Sequence, residues 1–237
     1  QSDGSVKRID CDALGVSGGW NPSVHLTCHM NGRPIWDPAL ASFTPQPDAV
    51  PGLVVAGAAA GEMSTQGALA QGQAEALTLA RALGKRVKPS ALPVADTTPY
   101  EITPFWDVGG SGRAWLDFQN DVTVKDVKQA VQENFRSVEH MKRYTTQGMA
   151  TDQGKNSNIA ALAVLADATG RGIPETGTTT FRPPYVPVAL AALGAGGHGK
   201  GFAPERRLTS DRISRARGAP MVEAGLWYRP SYFPQEG

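Results

Sequence analysis

The passage from Lys85 to Ala114 is the feature that most limits how this chain can fold. It carries four prolines within sixteen residues, at positions 89, 93, 99 and 104. Proline lacks the amide hydrogen and pushes the preceding residue toward extended backbone, so a helix or a central strand is disfavoured across this passage. We therefore predict a linker or bridging arm over residues 85–114, with a domain boundary there.

Composition argues against two classes of partner. The 237 residues include 41% hydrophobic residues, enough to bury a core in one large domain or in two smaller ones. The 23 basic and 22 acidic residues are well mixed, so no field of one sign attracts nucleic acid or an anionic membrane. No apolar run is long enough to span a membrane, and none has the flanking residues of a signal peptide. We therefore predict a cytoplasmic protein. Its two cysteines, Cys11 and Cys28, are expected to be reduced.

The segment before the linker predicts a strand, a turn and a helix. Val54 and Val55 are typical of a strand, Gly57 and Gly61 bracket a tight turn, and Gln66–Leu83 has Ala and Leu at helical spacing. A glycine turn that opens a helix favours a pyrophosphate or another anion at the unpaired amides. An ordinary α/β packing turn has the same pattern, and this reading stays open.

Histidines and arginines outside that segment give no functional signal. Alternation from Val24 to His29 predicts a strand, on which His25 and His29 share one face but lie too far apart for a single metal ion. His198 has no acid or nucleophile near it in the sequence. The arginine-rich stretch 206–217 lacks the interleaved aromatic residues of a nucleic-acid site.

From Trp115 onward the pattern predicts three short helices. Thr123 starts the first with a near capping box, and Ser137 caps the second. The third begins at Asn156 or Ser157 and ends at Gly170. The apolar residues expected to face inward are Val124, Val127, Ala130, Val131, Val138, Met141 and Tyr144.

The stretch DFQNDVT, followed by KRYTTQGMATDQGK, resembles the [2Fe–2S] domain of the bacterioferritin-associated ferredoxin type. Aligned on VT and QG, the four ligand positions of that family fall on Asp117, Gln119, Asp152 and Ser157. None is a cysteine, and carboxylate, amide and hydroxyl groups lack the softness and charge of the thiolates that an iron–sulfur cluster needs. The resemblance implies a ferredoxin-like helical domain over residues 115–195 without an iron–sulfur cluster.

Longer stretches resemble the α subunit of heterotetrameric sarcosine oxidase over almost the whole chain. They are SVEHMKRYTTQGMATDQGKNSNIAALAVLAD, IPETGTTTFRPPYVPVAL, RIDCDALGVSGGWNPSVHL and GAPMVEAGLWYRPSYFPQ. The resemblance implies an α/β and α fold. Residues 1–84 would be the C-terminal part of a two-dinucleotide-binding, Rossmann-like NAD domain, and residues 196–237 a linker and the start of an aminomethyltransferase-like folate domain. The chain would then be the central portion of a longer subunit, and it is not expected to be active alone.

The resemblance also implies cofactors. In that family the α subunit binds NAD, FMN lies at the contact with the β subunit, FAD lies on β, and tetrahydrofolate binds the C-terminal domain of α. NAD contacts would come from Gly57, Ala58, Met63 and Thr65. Cationic and hydroxyl side chains suited to phosphate would border FMN, namely Lys142, Arg143, Lys155, Thr178, Thr179, Thr180 and Arg182. Taken singly, these residues fit a solvated helix face and turns equally well.

The implied function is that of an oxidoreductase subunit. Together with β, γ and δ subunits it would oxidatively demethylate sarcosine to glycine, with hydrogen peroxide and methylenetetrahydrofolate as the other products. Two alternatives stay open: a non-catalytic bridging module, and a subunit of a related proline or opine dehydrogenase. Those relatives often retain the cysteine ligands, so their absence here favours sarcosine.

Overall fold

We describe the chain from a computed structural model. It describes residues 5, 7–15, 18–184, 186–194, 196, 197, 201 and 204–235, so His198 lies outside the described residues. The chain forms two compact units, residues 1–186 and residues 187–237. The finer domain boundaries stay predictions.

The larger unit mixes helices with two small antiparallel hairpins. Its strands are β1 (Ile35–Asp37) paired with β2 (Ser42–Thr44), and β3 (Trp115–Asp117) paired with β4 (Val122–Thr123). Its helices are α1 (His25–His29), a 3₁₀ helix (Gly57–Ala60), α2 (Thr65–Ala82), α3 (Val124–Gln132), α4 (Val138–Thr145), α5 (Asn158–Thr169) and α6 (Ile173–Thr176).

One buried apolar core joins α3, α4 and α5 to both hairpins. Val127 on α3, Met141 on α4 and Leu165 on α5 are fully buried in it. Phe43 of β2 packs into the same core, edge-on to Trp36 with 5.2 Å between the ring centroids. Removal of these side chains from water is the main favourable term that holds the three helices together.

The predicted ends of the three helices are confirmed. The Thr123 hydroxyl accepts from the Asp126 amide while the Asp126 carboxylate accepts from the Thr123 amide, so the capping box is complete. Ser137 Oγ accepts from the His140 amide at 3.2 Å and starts α4. Ser157 precedes α5, which ends at Gly170 in the left-handed conformation that glycine adopts without strain.

The strand predicted from Val24 to His29 is wrong. These residues form helix α1, in which the Cys28 amide donates to the carbonyl of Val24 at 3.1 Å. The Thr27 hydroxyl donates to the same carbonyl at 2.7 Å, a bond that an extended strand cannot make. The helix brings the rings of His25 and His29 to 5.8 Å between centroids.

Two further expectations fail in detail. Val54 and Val55 adopt irregular backbone, because no described strand lies beside them to complete a ladder.

The expectation that Tyr144 faces inward is also wrong, because its side chain is 42% exposed. Its ring stacks on Phe135 at 4.5 Å between centroids, which lets the hydroxyl donate to the Glu133 carboxylate in solvent.

The proline-bearing passage is irregular, as predicted, and it follows α2. No helix or strand occurs between residues 85 and 114, all of which are described. The amide of Gln66 donates to the carbonyl of Asp96 at 2.9 Å, and Gln73 Nε2 donates to the carbonyl of Ser90 at 2.8 Å. Polar bonds of this kind attach the passage to the helix.

The smaller unit contains a three-stranded sheet. Strand β7 (Trp227–Pro230) is central, with β6 (Met221–Ala224) antiparallel on one side and β5 (Arg206–Arg207) parallel on the other. The described residues of this unit include two short helices, α7 (Leu190–Leu193) and α8 (Asp211–Ala216). Within the part of the chain that the structure describes, no helix combines the length and the apolar character needed to cross a lipid bilayer.

Candidate functional site

Residues 146–157, called here the 146–157 loop, connect α4 to α5 and enclose polar side chains of their own. Gln147 is 1% exposed, and its Nε2 donates to Ser157 Oγ at 2.7 Å. Asn158 is also buried and lies against Gly148 and Gly154, where an added Cβ would collide with its Oδ1. Both glycines have positive φ, +66° and +71°. The loop therefore needs glycine at these two positions for conformation and for space.

The four positions aligned with iron–sulfur ligands lie on two segments that are hydrogen-bonded to each other. Asp117 Oδ2 accepts from the Gly148 amide at 2.8 Å, and Thr151 Oγ1 donates to Gln119 Oε1 at 3.4 Å. Asp152 accepts from the Gly154 amide at 3.1 Å. Each of these acceptors thus has a partner within the chain, and the β3–β4 turn is fixed to the 146–157 loop.

Two of the predicted cations, Lys142 and Arg143, lie beside one carboxylate on α4, and a third, Arg182, lies near Lys142. Arg143 forms an ion pair with Glu139 at 3.0 Å. Burial lowers the pKa of the Lys142 ammonium; Glu139 opposes this shift, while the positive charges of Arg182 and Arg143 add to it. Lys142 therefore lies close enough to Glu139, Arg182 and Arg143 to interact with their charges, and Glu139 is the counter-charge of Arg143 and Lys142. An anion bound here would relieve the repulsion among the cations.

The predicted threonines lie on residues 178–184, called here the 178–184 segment, which runs beside this cluster. Thr179 is buried, and its Oγ1 accepts from Asn158 Nδ2 at 3.0 Å. The Thr180 amide donates to Glu139 Oε1 at 3.0 Å. Gln153 Oε1 accepts from the Arg182 amide at 2.9 Å. The structure thus brings the 178–184 segment to both α4 and the 146–157 loop.

Lys155 lines a cavity of about 290 Å³. The cavity is also lined by His25, and its walls include Phe43 and Phe181. The pKa of His25 is lowered to about 4, first by burial and then by the charges of His29 and Lys155. The imidazole is therefore neutral at physiological pH. Thr178 borders this cavity and a second one of about 820 Å³.

The residues predicted to contact NAD form a separate group at the start of α2. The Gly57 amide donates to Gln71 Oε1 at 2.7 Å, and the Gly67 amide donates to Ser64 Oγ at 3.0 Å. Glu62 accepts from the amide and hydroxyl of Ser64, and these bonds lower the pKa of its carboxyl. Several amides that would meet a pyrophosphate are thus already paired, beside a carboxylate. Ala58, Met63 and Thr65 lie in the same turn and first helical residue.

Metal ligation has no geometric support in the described part of the chain. Among those residues, no three side chains of His, Cys, Asp or Glu are grouped as a metal site requires. The ring pair of His25 and His29 therefore has no third ligand of these types beside it.

Three important residues of the candidate site were missed in the sequence. Glu139 bonds to a residue 41 positions away, Gln153 to one 29 positions away and Asn158 to one 21 positions away. Local spacing carries no signal for pairs so distant. The glycine that follows Gln153 indicates a turn, but it does not indicate what the glutamine binds.

Comparison with known proteins gives a consistent family. A family model described as the Sarcosine oxidase A3 domain matches residues 111–197, which include the cation cluster and the 146–157 loop. The chain is 42% identical over 237 residues to sarcosine oxidase subunit alpha of Rhizobium meliloti (strain 1021). It is 38% identical over 245 residues to the same subunit of Corynebacterium sp. (strain U-96). Each match covers 99% of this chain but only 24–25% of the relative, so the chain spans about a quarter of their length.

A solved structure shares the fold. The crystal structure of L-proline dehydrogenase from P. horikoshii superposes with a TM-score of 0.53 at 18% identity. The likeness covers 73% of this chain and 37% of that chain. At this level of identity the likeness concerns the fold alone.

Proposed function

Because this chain is homologous over nearly its whole length to about a quarter of sarcosine oxidase subunit alpha, we propose that it is part of such a subunit. The complete oxidase would contain α, β, γ and δ subunits in a heterotetramer located in the cytoplasm. It would convert sarcosine, oxygen and tetrahydrofolate to glycine, hydrogen peroxide and methylenetetrahydrofolate. The amine would be oxidised at FAD on β, while tetrahydrofolate would bind a part of α outside these residues.

The portion described here would border FMN at the contact with β. The observation that carries this proposal is the group of cations in which Lys142 interacts with Arg143 and Arg182, with Glu139 as the counter-charge of Arg143 and Lys142. Neighbouring cations fit a phosphate, and guanidinium groups can bind its oxygens in pairs. FMN, when bound, supplies a ring that accepts and passes on electrons. The role of this chain is to hold the phosphate with these cations and with hydroxyls of Thr178, Thr179 and Thr180 nearby.

The remaining predicted contact, Lys155, would face the same cofactor from the cavity of about 290 Å³ that it shares with His25. Its ammonium would add positive charge beside the loop, and the neutral His25 would not compete with it for an anion. This assignment is separable from the cluster on α4, because Lys155 lines this cavity whereas Lys142, Arg143 and Arg182 do not.

The proposal includes NAD binding by Gly57, Ala58, Met63 and Thr65, but it limits their contact to one part of the nucleotide. A pyrophosphate does not fit this turn, because Gly57 and Gly67 already donate within the chain and the Glu62 carboxylate repels an anion. A ribose hydroxyl fits better, because it can donate to that carboxylate. We therefore assign the turn to a sugar of the nucleotide and not to its phosphates.

The finer fold also belongs to this proposal. We assign residues 115–195 to a ferredoxin-like helical domain in which the cluster ligands are replaced by Asp117, Gln119, Asp152 and Ser157, and which holds no iron–sulfur cluster. Support comes from the hydrogen bonds that join the two ligand-bearing segments. Residues 1–84 would be the tail of a Rossmann-like dinucleotide-binding domain, with support from the 3₁₀ turn that opens α2.

A non-catalytic bridging module is the second candidate. It is favoured by the interior of the 146–157 loop, where Gln147 and Asn158 are buried and bonded within the chain. Such a module would join its partners without binding flavin. Flavin content of the purified complex separates the two candidates, because a bridging complex would be colourless.

The direct test replaces Arg182 by alanine in the assembled oxidase. Loss of a charge-assisted contact to phosphate is worth about 1.5–3 kcal/mol, which weakens FMN retention roughly tenfold or more. FMN released per complex and the rate of electron transfer between flavins are measured. Arg136→Ala, an exposed arginine between α3 and α4, serves as the control. Unchanged FMN content and transfer rate in Arg182→Ala would contradict the assignment.

A further inference from the structure

Gln153 holds the backbone on both sides of Arg182 with a single carboxamide. Its Oε1 accepts from the Arg182 amide at 2.9 Å, and its Nε2 donates to the Arg182 carbonyl at 2.8 Å. The same Nε2 donates to the Pro184 carbonyl at 2.9 Å. Three hydrogen bonds thus join one side chain of the 146–157 loop to the main chain of two residues, Arg182 and Pro184.

The conformation of Gln153 is unusual for a residue with a side chain. Its φ is +52°, in the left-handed region that glycine or asparagine usually occupies. Such a conformation costs free energy and persists where surrounding contacts determine it. Two kinds of contact surround Gln153 here. Its side chain bonds to the 178–184 segment, and its carbonyl accepts from Asn158 Nδ2 at 3.1 Å.

Among the described residues, two other attachments of this segment lie before Arg182. Asn158 binds the Thr179 hydroxyl, and Glu139 accepts from the Thr180 amide. Neither bond touches the backbone of Arg182 itself. The direction in which the guanidinium leaves the main chain is therefore determined mainly at Gln153, because fixed N–H and C=O groups fix the Cα–Cβ direction.

We propose that Gln153 is a positioning residue for the anion site: it fixes the Arg182 backbone so that the guanidinium points toward Lys142 and the bound phosphate. The proposal rests on the proposed function of the cation cluster, and it adds a residue that does not itself contact the anion. Gln153 acts through Arg182, because its three polar contacts to the 178–184 segment are all to main-chain atoms.

The first test measures the pKa of Lys142 by NMR in the 237-residue chain. Arg182 lowers this pKa, so Arg182→Gln raises it and defines the full effect. Gln153→Ala frees the segment and is expected to raise the pKa in the same direction by a comparable amount. Gln73→Ala is the matched control, because Gln73 Nε2 also donates to a backbone carbonyl, that of Ser90, away from the cluster.

A second variant covers the case in which Gln153→Ala disturbs folding. Gln153→Met keeps the length of the side chain, adds no charge, and loses both the acceptor and the donor. It is expected to raise the Lys142 pKa in a folded protein, as judged by an unchanged amide spectrum of α3 and α5. A Lys142 pKa equal to that of the wild type in Gln153→Met, with Arg182→Gln shifted, would overturn the proposal.

FMN content of the assembled oxidase separates this proposal from the proposed function. If both Arg182→Ala and Gln153→Ala lose FMN roughly tenfold more readily than the wild type, both are supported. If Arg182→Ala loses FMN and Gln153→Ala retains it, the positioning role fails and the phosphate assignment stands. If Arg182→Ala retains FMN, the phosphate assignment fails and the positioning role fails with it.

Discussion

Helices α2 and α5 are both rich in Ala and Leu, but they lie in opposite environments. Helix α5 spans 12 residues, and those from Ala161 to Ala166 are all buried. Helix α2 spans 18 residues, nine of them Ala or Leu, and none is buried. Helix α5 is therefore stabilised by packing within the described residues, whereas α2 is attached through a cap at Ser64 and polar bonds to the proline-bearing passage.

The difference teaches that apolar composition alone does not define a core. Alanine and leucine favour a helix on their own, so α2 forms by propensity and capping. Its apolar face lacks the burial that gives most helices their stability. We expect the candidate anion site, which is built on α4 and α5, to be rigid, and the predicted nucleotide turn, which precedes α2, to be the more easily opened region.

The largest expected effect compares the same substitution in both helices. Leu165 is fully buried on α5, and Leu165→Ala is expected to lower the free energy of unfolding by about 2–5 kcal/mol. Leu79 is 43% exposed on α2, and Leu79→Ala is expected to lower it by less than about 1 kcal/mol. Urea unfolding measures both. Equal losses of unfolding free energy in the two variants would contradict the difference between α5 and α2.

The second prediction compares how the stability of two regions depends on pH: the region around His25 and the start of α2. The folded pKa of His25 is lowered from 6.5 to about 4, so the unfolded state binds its proton first as the pH falls. Neutral His25 contributes its full share to the free energy of unfolding above pH 6.5. Between pH 6.5 and about 4 this contribution is lost, and the free energy of unfolding falls by about 3 kcal/mol. His25→Gln should flatten the measured stability in this window.

At the start of α2, the local stability depends on the protonation of Glu62. Its folded pKa is lowered by hydrogen bonds from Ser64, so its contribution is present above pH 4.5 and is lost as the pH falls through the folded pKa. Protection of the amides at the start of α2 against hydrogen exchange, relative to their intrinsic rates, is expected to fall only in that more acidic range. Loss of both signals in one common pH range would contradict the separation.

The third prediction compares two glycines. Gly154 has φ +71° and faces Asn158 Oδ1, so Gly154→Ala is expected to cost about 2 kcal/mol. Gly72 lies within α2 with open space around it, and Gly72→Ala is expected to stabilise the helix by about 0.5–1 kcal/mol. Chemical unfolding of the two variants gives opposite signs; a gain in Gly154→Ala would show that the loop adapts.

The smallest expected effect compares two carboxylates. Asp117 uses one oxygen for the Gln119 and Asn120 amides and the other for Gly148, so Asp117→Asn loses an acceptor and is expected to cost about 1–2 kcal/mol. Glu62 uses one oxygen for both of its bonds to Ser64, and Glu62→Gln can retain it. A change under about 0.5 kcal/mol is expected there, and denaturant midpoints of the two variants measure the difference.

Local sequence signals predicted the helical region well. The capping pair Thr123 and Asp126, the cap Ser137 and the terminal Gly170 act between neighbours in the chain, so their patterns are visible in the sequence. Helix α1 was missed because five residues are too few to show a helical period.

The candidate site was predictable only in part. The family resemblance pointed to Lys142, Arg143 and Arg182 because they lie within long matching stretches, and the structure brings these three together. The positions of Gln153 and Glu139 in the site depend on hydrogen bonds across 29 and 41 residues. Such bonds arise from the packing of the 178–184 segment against α4 and the 146–157 loop, which no local pattern encodes.

The most direct test of the central claim is an experimental structure of the assembled oxidase with FMN bound. We predict that the FMN phosphate lies within hydrogen-bond distance of the Arg182 guanidinium, with Lys142 beside it and Gln153 still bonded to the Arg182 backbone. A phosphate held entirely by residues of another subunit, with Lys142, Arg143 and Arg182 facing solvent, would contradict the claim.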